Sequence, residues 1–218
     1  MSDLSAFTIF KANAGMLAVL DITQPILGTG SLKINRNGTA GRFANMVRAT
    51  APNSFTSGRA RFLLDSTADS AADAIGFVFQ QSQTDLTGGV GAAYGLYVQM
   101  TNSVTDTWTP LLYKFTAGLG TGTTLATGTS YVAAPGTETA YEVQWILDVA
   151  NLGGLQVKVK RGTASAYTNL VADAALNIII TSSVLTASVG EGPFYAGDPN
   201  STGFYLYDHF EVVPLIVG

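Results

Sequence analysis

The clearest alternation of apolar and polar positions spans residues 138–162, ETAYEVQWILDVANLGGLQVKVKRG. Tyr141, Val143, Trp145, Leu147 and Val149 recur at every second position, and after Asn-Leu-Gly-Gly the alternation resumes with Leu155, Val157 and Val159. A period of two makes one side of an extended chain apolar, so the stretch predicts a central β-hairpin with one buried face. The other face carries Glu142, Gln144, Asp148, Gln156, Lys158 and Lys160, with Ile146 as an exception, and is expected to meet water or a partner. An antiparallel sheet with one dry side needs a second layer.

The same reading extends along the chain. Residues 6–10 and 16–22 are the first candidate strands. Leu32 and Ile34 then alternate with Lys33 and Asn35, Asn37-Gly38 supplies a pair that tolerates positive φ, and Phe43 and Val47 lie on a returning strand, which together predict a hairpin. Further strands are predicted over residues 59–65, 74–81 (Ile75, Phe77 and Phe79 on one face) and 94–100 (Tyr94, Leu96, Val98 and Met100). Another covers 108–115, with Leu111, Tyr113 and Phe115 inward; Pro110 cannot donate to a ladder there and is expected at an edge or bulge. Residues 116–130 form a loop region with one short strand around Leu125, and residues 177–180 fit either a strand or a buried turn. Residues 184–189 and 192–196 look like two short strands, and the last strand, 203–213, sets Phe204, Leu206, Phe210 and Val212 against Tyr205, Tyr207, His209 and Glu211. About a dozen strands without a convincing helix predict an all-β, two-sheet antiparallel β-sandwich.

Composition sharpens this picture. A chain of 218 residues fits one large all-β domain, able to bury roughly 70–75% of its unfolded surface without staples. Charged residues make up 12% and glycine contributes 24 positions, which suits short strands and tight turns and leaves a surface built from Thr, Ser, Asn and Gln. The net charge of −4 and the scatter of 11 basic residues exclude a phosphate-binding surface, hence nucleic acid as a partner. Lys158, Lys160 and Arg161 read as the solvated face of a strand. With no cysteine, disulfides, thiolate metal sites and thiol nucleophiles are excluded together. The first 24 residues start acidic and contain Lys11, so they do not read as an export signal. No run of about 18 apolar residues is present to span a membrane.

The succession GRARFLLD, AIGFVFQQS, AAYGLYVQM, LLYKFTAG, TAYEVQWILDV with LQVKVKRG, and LTASVGEGPFYAG with GFYLYDHFEV resembles concanavalin A-like, laminin-G-like jelly-roll domains, of the kind found in bacteriophage virion proteins. The resemblance covers roughly residues 28–213. It divides the chain into an N-terminal segment, 1–27, able to form a strand or an interface arm, a sandwich domain, 28–213, and an apolar tail, 214–218. It implies a scaffold open to three roles: glycan-binding module, glycoside hydrolase, or assembly protein of a virus particle.

The residues bear on these roles unequally. Retaining hydrolysis needs two carboxyls roughly 5–5.5 Å apart, which hydrolases on this scaffold present from one strand as Glu-x-Asp-x-x-Glu or a near variant. Only Glu138, Glu142, Glu191 and Glu211 are available, and none has an acidic residue two positions on. His209 is the sole histidine, so a His-based triad would rest on it alone. Gly88-Gly89-Val90-Gly91 and Gly118-Leu119-Gly120-Thr121-Gly122 precede no helix and no Gly-Lys-Ser/Thr, and read as turns rather than phosphate cradles. No enzymatic activity and no cofactor are therefore expected. The resemblance leaves one opening for a metal, a Ca²⁺ at a sheet rim held by Asp65, Asp69, Asp73 or Asp85, although loop aspartates more often cap turns.

A glycan site would offer aromatic faces beside amide and carboxylate groups. Tyr97, Trp108, Tyr205 and Tyr207 lie opposite the apolar face or near a loop and are the candidates for glycan or protein contact. Low charge, the terminal PLIVG and the apolar residues of the first 27 positions favour assembly. The sequence-level expectation is a non-enzymatic virion structural protein, a bacteriophage capsid-decorating or tail-associated subunit assembled in the host cytoplasm with other virion proteins and copies of itself. The alternative is a carbohydrate-binding module or host-surface adhesin.

Overall fold

The computed structural model describes residues 7–11, 16–21, 31–36, 43–48, 55–66, 74–134, 136–162, 167, 169–197 and 204–215. In chain order the described strands are β1 (Phe7–Lys11), β2 (Met16–Asp21), β3 (Ser31–Arg36), β4 (Phe43–Arg48), β5 (Gly58–Ser66), β6 (Ala74–Phe79), β7 (Ala93–Asn102) and β8 (Thr107–Phe115). They continue with β9 (Gly122–Thr127), β10 (Tyr131–Val132), β11 (Thr139–Asp148), β12 (Gly154–Gly162), β13 (Val171–Ala172), β14 (Ile178–Ile180), β15 (Gly192–Ala196) and β16 (Phe204–Pro214). A single 3₁₀ turn, Ala174–Leu176, is the only helical element among the described residues; the Asp173 carboxylate caps it by accepting from Ala175 N.

These strands form two antiparallel sheets, as the alternation predicts. The first runs β1-β4-β15-β6-β7-β8, with β9 and β10 both alongside β8; the second runs β13-β12-β11-β5-β16-β3-β2, with β14 alongside β12. The central hairpin is β11 with β12, in register from Ala140 opposite Gly162 to Asp148 opposite Gly154. Its turn is closed by Asp148, whose carboxylate accepts from the Asn151 backbone N–H at 3.0 Å and from Asn151 Nδ2 at 2.9 Å. Val149 falls in this turn and is exposed, ending the inward run two residues earlier than the alternation predicts.

Between the sheets lies an aromatic core. Phe62 stacks on Phe77 and on Tyr141, each at 5.7 Å between ring centroids, and Phe79 stacks on Trp145 at 5.1 Å. Trp145 satisfies its indole N–H on Phe55 O at 3.1 Å. A Cβ at Gly58 would stand 2.6 Å from the Trp145 ring, so the indole occupies the space that any other residue at position 58 would fill.

Three expectations fail for identifiable reasons. First, β3 and β4 do not form a hairpin: β3 is flanked by β2 and β16 in the second sheet, and β4 by β1 and β15 in the first. With both edges of each strand occupied, the chain crosses from one sheet to the other; Asn37-Gly38 lies outside the described residues. Second, β8 has the opposite parity. Trp108 and Leu112 enter the inter-sheet core, whereas Phe115 and Tyr113 join a separate cluster on the outer side of the first sheet. Third, residues 184–189 form no strand.

Pro110 sits inside the first sheet, not at its edge. Its carbonyl accepts from Gly128 N at 2.8 Å, at the gap where β9 ends and β10 has not begun, so the missing N–H falls where the ladder is interrupted. The N-terminal strands are laid one at an edge of each sheet, and Leu215 donates its N–H to Ser57 O at 3.0 Å beyond the Pro214–Gly58 pair.

Candidate functional site on the outer face of the first sheet

The outer face of the first sheet has a local architecture of its own. In an antiparallel ladder, residues directly opposite each other share a face. Register therefore places Phe194, Gly76, Tyr97 and Leu111 side by side across β15, β6, β7 and β8, and sets Gly95 beside Tyr113 in the next row. The two glycines make room for rings. A Cβ at Gly76 would meet the Leu96 carbonyl and, at 3.0 Å, the ring of Phe194; a Cβ at Gly95 would stand 3.0 Å from the ring of Phe115. Over this floor Tyr97 stacks on Tyr113 at 5.2 Å with 28° between planes, and its ring lies 5.8 Å from that of Phe194. Phe115 and Phe194 meet edge to face at 5.4 Å and are fully buried, while Tyr97 and Tyr113 are half-buried and keep a surface toward solvent. Loss of hydration raises the Tyr113 pKa above the usual tyrosine value, and its hydroxyl, protonated at neutral pH as any tyrosine is, can both donate and accept.

One end of this face is walled by the two glycine-rich loops, which act as turns. Gly118 N donates to Gly91 O at 2.8 Å and Leu119 N to Leu86 O at 3.0 Å, so the loops zip to each other. Leu86 and Leu119 are thereby buried with Val78, Ala93 and Phe115. Asn45, itself buried, ties the wall down by donating to Thr84 O and accepting from Leu86 N.

Away from the wall the face becomes polar. Gln99 follows Tyr97 at the next outward position and stands opposite Thr109. The Thr109 hydroxyl lies 3.2 Å from that of Thr101 and 2.8 Å from that of Ser130, a short row of hydroxyls that can be extended by a ligand hydroxyl. An aromatic step beside an amide and a hydroxyl row can take a molecule with an apolar face and a polar rim.

The four aromatic residues expected to mark a site are not brought together. Tyr97 is on this face. Trp108 is 3% exposed, packs into the inter-sheet core and donates its indole N–H to Ala133 O at 3.3 Å. It lines a shallow recess between the sheets, together with Leu64, Ile75, Tyr131 and Thr139. Tyr205 and Tyr207 are in β16, in the other sheet, with side chains outside the description. Tyr113, assigned inward by the alternation, is the partner that Tyr97 has instead.

The acidic residues are accounted for separately. Asp85 accepts from the backbone N–H and the hydroxyl of Thr87, as a turn cap does; Asp69 and Asp73 lie outside the described residues, and Asp65 is in β5 with its side chain outside the description. Glu142 is on the outward face of the second sheet, as its parity requires, yet it is 1% exposed and not wetted. Arg61 Nε reaches its carboxylate at 2.6 Å and Lys160 Nζ at 2.9 Å. Burial raises the Glu142 pKa, but the hydrogen bonds and charges of Lys160 and Arg61 outweigh it and hold the group below its ordinary value. Glu211 pairs with Arg59 at 3.2 Å and with Arg61 at 3.7 Å, and the buried Glu191 accepts from Phe55 N at 2.9 Å. His209 lies in β16 with its side chain outside the description.

No family model and no curated protein matches the chain. Solved structures do. The legume lectin-like domain from Entamoeba histolytica superposes with a TM-score of 0.60 at 9% identity, over 97% of this chain and 91% of that one. The carbohydrate binding module CBM66 from Bacillus subtilis gives 0.54 at 12% identity, over 97% and 98%. The PL-14 alginate lyase from Aplysia kurodai gives 0.59 at 9% identity, over 96% and 91%. Lectins, binding modules and enzymes thus share this architecture, and it does not decide among them. The chain has a concanavalin A-like β-sandwich fold.

Proposed function

We propose that this chain is a non-catalytic carbohydrate-binding domain that holds its glycan on the outer face of the first sheet. The observation that carries the reading is the half-buried Tyr97–Tyr113 pair standing beside Gln99 and the Thr101–Thr109–Ser130 hydroxyls. A pyranose ring matches both halves: its C–H face packs on a tyrosine, and its equatorial hydroxyls exchange hydrogen bonds with an amide and hydroxyls. Two similar structures are a lectin-like domain and a carbohydrate binding module, which supports the same reading. The non-catalytic part rests on the carboxylates. A general acid needs a raised pKa, whereas Glu142 is held low by two cations.

The virion-subunit role has less behind it. The strands of the N-terminal segment complete the chain's own sheets, and Pro214 and Leu215 are bonded to the Ser57–Gly58 corner. The two roles are compatible on one particle, where a glycan-binding face would serve as the adhesin.

The test is a glycan array read with the wild-type chain and with Tyr97→Ala. Wild type should bind a defined set of glycans, and the variant should lose about tenfold or more in affinity, as when a central aromatic anchor is truncated. Absence of binding to any glycan, or full affinity in Tyr97→Ala with the fold intact, would count against the reading.

A further inference from the structure

We infer that the glycan taken by this face is uncharged, and that the site excludes uronates and other anionic sugars; the inference rests on the carbohydrate-binding reading above. It comes from how charge is divided between the strands under this face and the second sheet. In β6, β7, β8, β9 and β15, which build the face and its floor, the single Asp, Glu, Lys or Arg is Lys114. Lys114 has the parity of Trp108 and Leu112 and faces away from the site: its Nζ donates to Ser183 O at 2.6 Å and lies 5.6 Å from the centre of the Tyr94 ring. The second sheet carries the opposite pattern, with Arg59, Arg61, Glu142, Lys160 and Glu211 joined in one ion-pair network on its outer side.

A carboxylate set on the Tyr97–Tyr113 platform would lose part of its hydration without gaining a cation from these strands, and a buried or half-buried charge is tolerated only when it is paired. It would also meet the field of a chain whose net charge is −4. Neutral hexose or pentose units avoid both penalties. Their hydroxyls find Gln99 and the Thr109 hydroxyl row, whose members act as donor or acceptor as the ligand demands.

The experiment is affinity electrophoresis in gels containing neutral polysaccharides (a mixed-linkage β-glucan, a galactomannan, a xylan) or polyuronates (alginate, polygalacturonate), each at low and high salt. It is run on wild type, Tyr97→Ala and Gln99→Lys. The expected result is retardation of wild type by a neutral polymer that is insensitive to salt and lost in Tyr97→Ala, with no retardation by either polyuronate. Gln99→Lys, which sets one cation beside Tyr97, should gain polyuronate retardation that high salt removes. Retardation of wild type by a polyuronate to the same extent or more overturns the neutral specificity but leaves glycan binding standing. A lysine variant that still ignores polyuronates while wild type binds a neutral polymer also overturns it, because a missing cation is then not the cause. Free migration of wild type in every gel overturns the carbohydrate-binding reading itself.

Discussion

The carboxylate of Glu142 accepts from Arg61 Nε at 2.6 Å while lying 1% exposed on the face that strand alternation assigns to solvent. The pair sits in one row of the second sheet, because β5 and β12 flank β11 and bring Arg61 and Lys160 to either side of Glu142. Long cationic side chains lie over the shorter acid and seal it from water. Replacing Glu142 by Ala takes the acceptor from Lys160 and leaves Arg61 with the longer Glu211 contact at 3.7 Å. The loss for a fully buried pair is about 3–5 kcal/mol. Arg61 and Lys160 keep 30% and 41% of their side-chain surface, so water screens part of the penalty and about 1–3 kcal/mol is expected. Thermal and urea unfolding of Glu142→Ala against wild type would measure it, and a change within error would mean that the network is ornamental.

The same group sets a pH dependence. Glu142 has a folded-state pKa below its unfolded value, so its contribution is complete above about pH 4.3 and is lost as the pH falls through the folded value. Stability should drop on the acid side in wild type, and Glu142→Gln should flatten that limb while lowering the neutral plateau. Parallel acid limbs in the two proteins would assign the effect to other carboxylates.

Gly95→Ala tests the floor of the candidate site. The added methyl would stand 3.0 Å from the Phe115 ring, which is buried against Phe194 and cannot swing away freely. Overpacking of this kind costs about 1–3 kcal/mol. Because Phe115 also lies 4.9 Å from Tyr113, the displacement should reach the platform and weaken glycan binding. Unchanged stability together with unchanged binding would mean that the rings do not depend on the space left by Gly95.

The elements that were legible in the sequence are those with one dry face. In β11 and β12, Tyr141, Val143, Trp145, Leu155, Val157 and Val159 are buried as their alternation requires. Likewise Tyr94, Leu96, Val98 and Met100 of β7 all face the core. Parity was illegible in β8, TWTPLLYKF, because both of its faces are apolar: Trp108 and Leu112 serve the inter-sheet core, and Tyr113 and Phe115 the outer cluster. That outer cluster is also why half of the candidate site is not legible in the sequence. Tyr97 stood out opposite the core, but its partner Tyr113 is found only through the pairing of Gly95 with Tyr113, a relation between strands that no single strand reveals. The Asn37-Gly38 signal misled for a related reason. A local turn preference cannot report that both neighbouring strands already have other partners.

Trp108 and Tyr97 carried the same expectation and should now behave oppositely. Trp108→Ala removes a buried indole between the sheets and should cost about 3–5 kcal/mol, with any change in binding following from unfolding. Tyr97→Ala removes a half-buried ring from a surface cluster, should cost less than Trp108→Ala, and should act chiefly on glycan affinity. Measuring denaturant midpoints beside binding for both variants separates the roles. If Trp108→Ala stayed folded and lost binding selectively, the recess that it lines would be the better site.

Alkaline pH tests the other polar pair in the sandwich. Tyr141 donates its hydroxyl to that of Tyr131 at 2.7 Å, and the Arg161 guanidinium lies 4.0 Å from the centre of the Tyr131 ring. Burial above all, with Tyr131 beside it, pushes the Tyr141 pKa well above the usual tyrosine value; Tyr131 is also raised by burial, opposed by Tyr141, Thr139 and Arg161. A raised folded-state pKa means that the contribution is complete below the unfolded tyrosine value of about 10 and is lost as the pH rises toward the folded one. Tyrosinate absorbance should therefore rise in two stages, exposed rings first and Tyr141 only together with the loss of near-ultraviolet dichroism. Tyr141→Phe removes the hydroxyl that cannot ionise in place, so its alkaline limb should be shallower than wild type. At neutral pH it should be less stable by about 0.5–1.5 kcal/mol, the worth of one hydrogen bond. Reversible titration of every tyrosine in a single stage, with dichroism unchanged, would mean that water reaches the pair and that the sandwich end around Tyr131 is open.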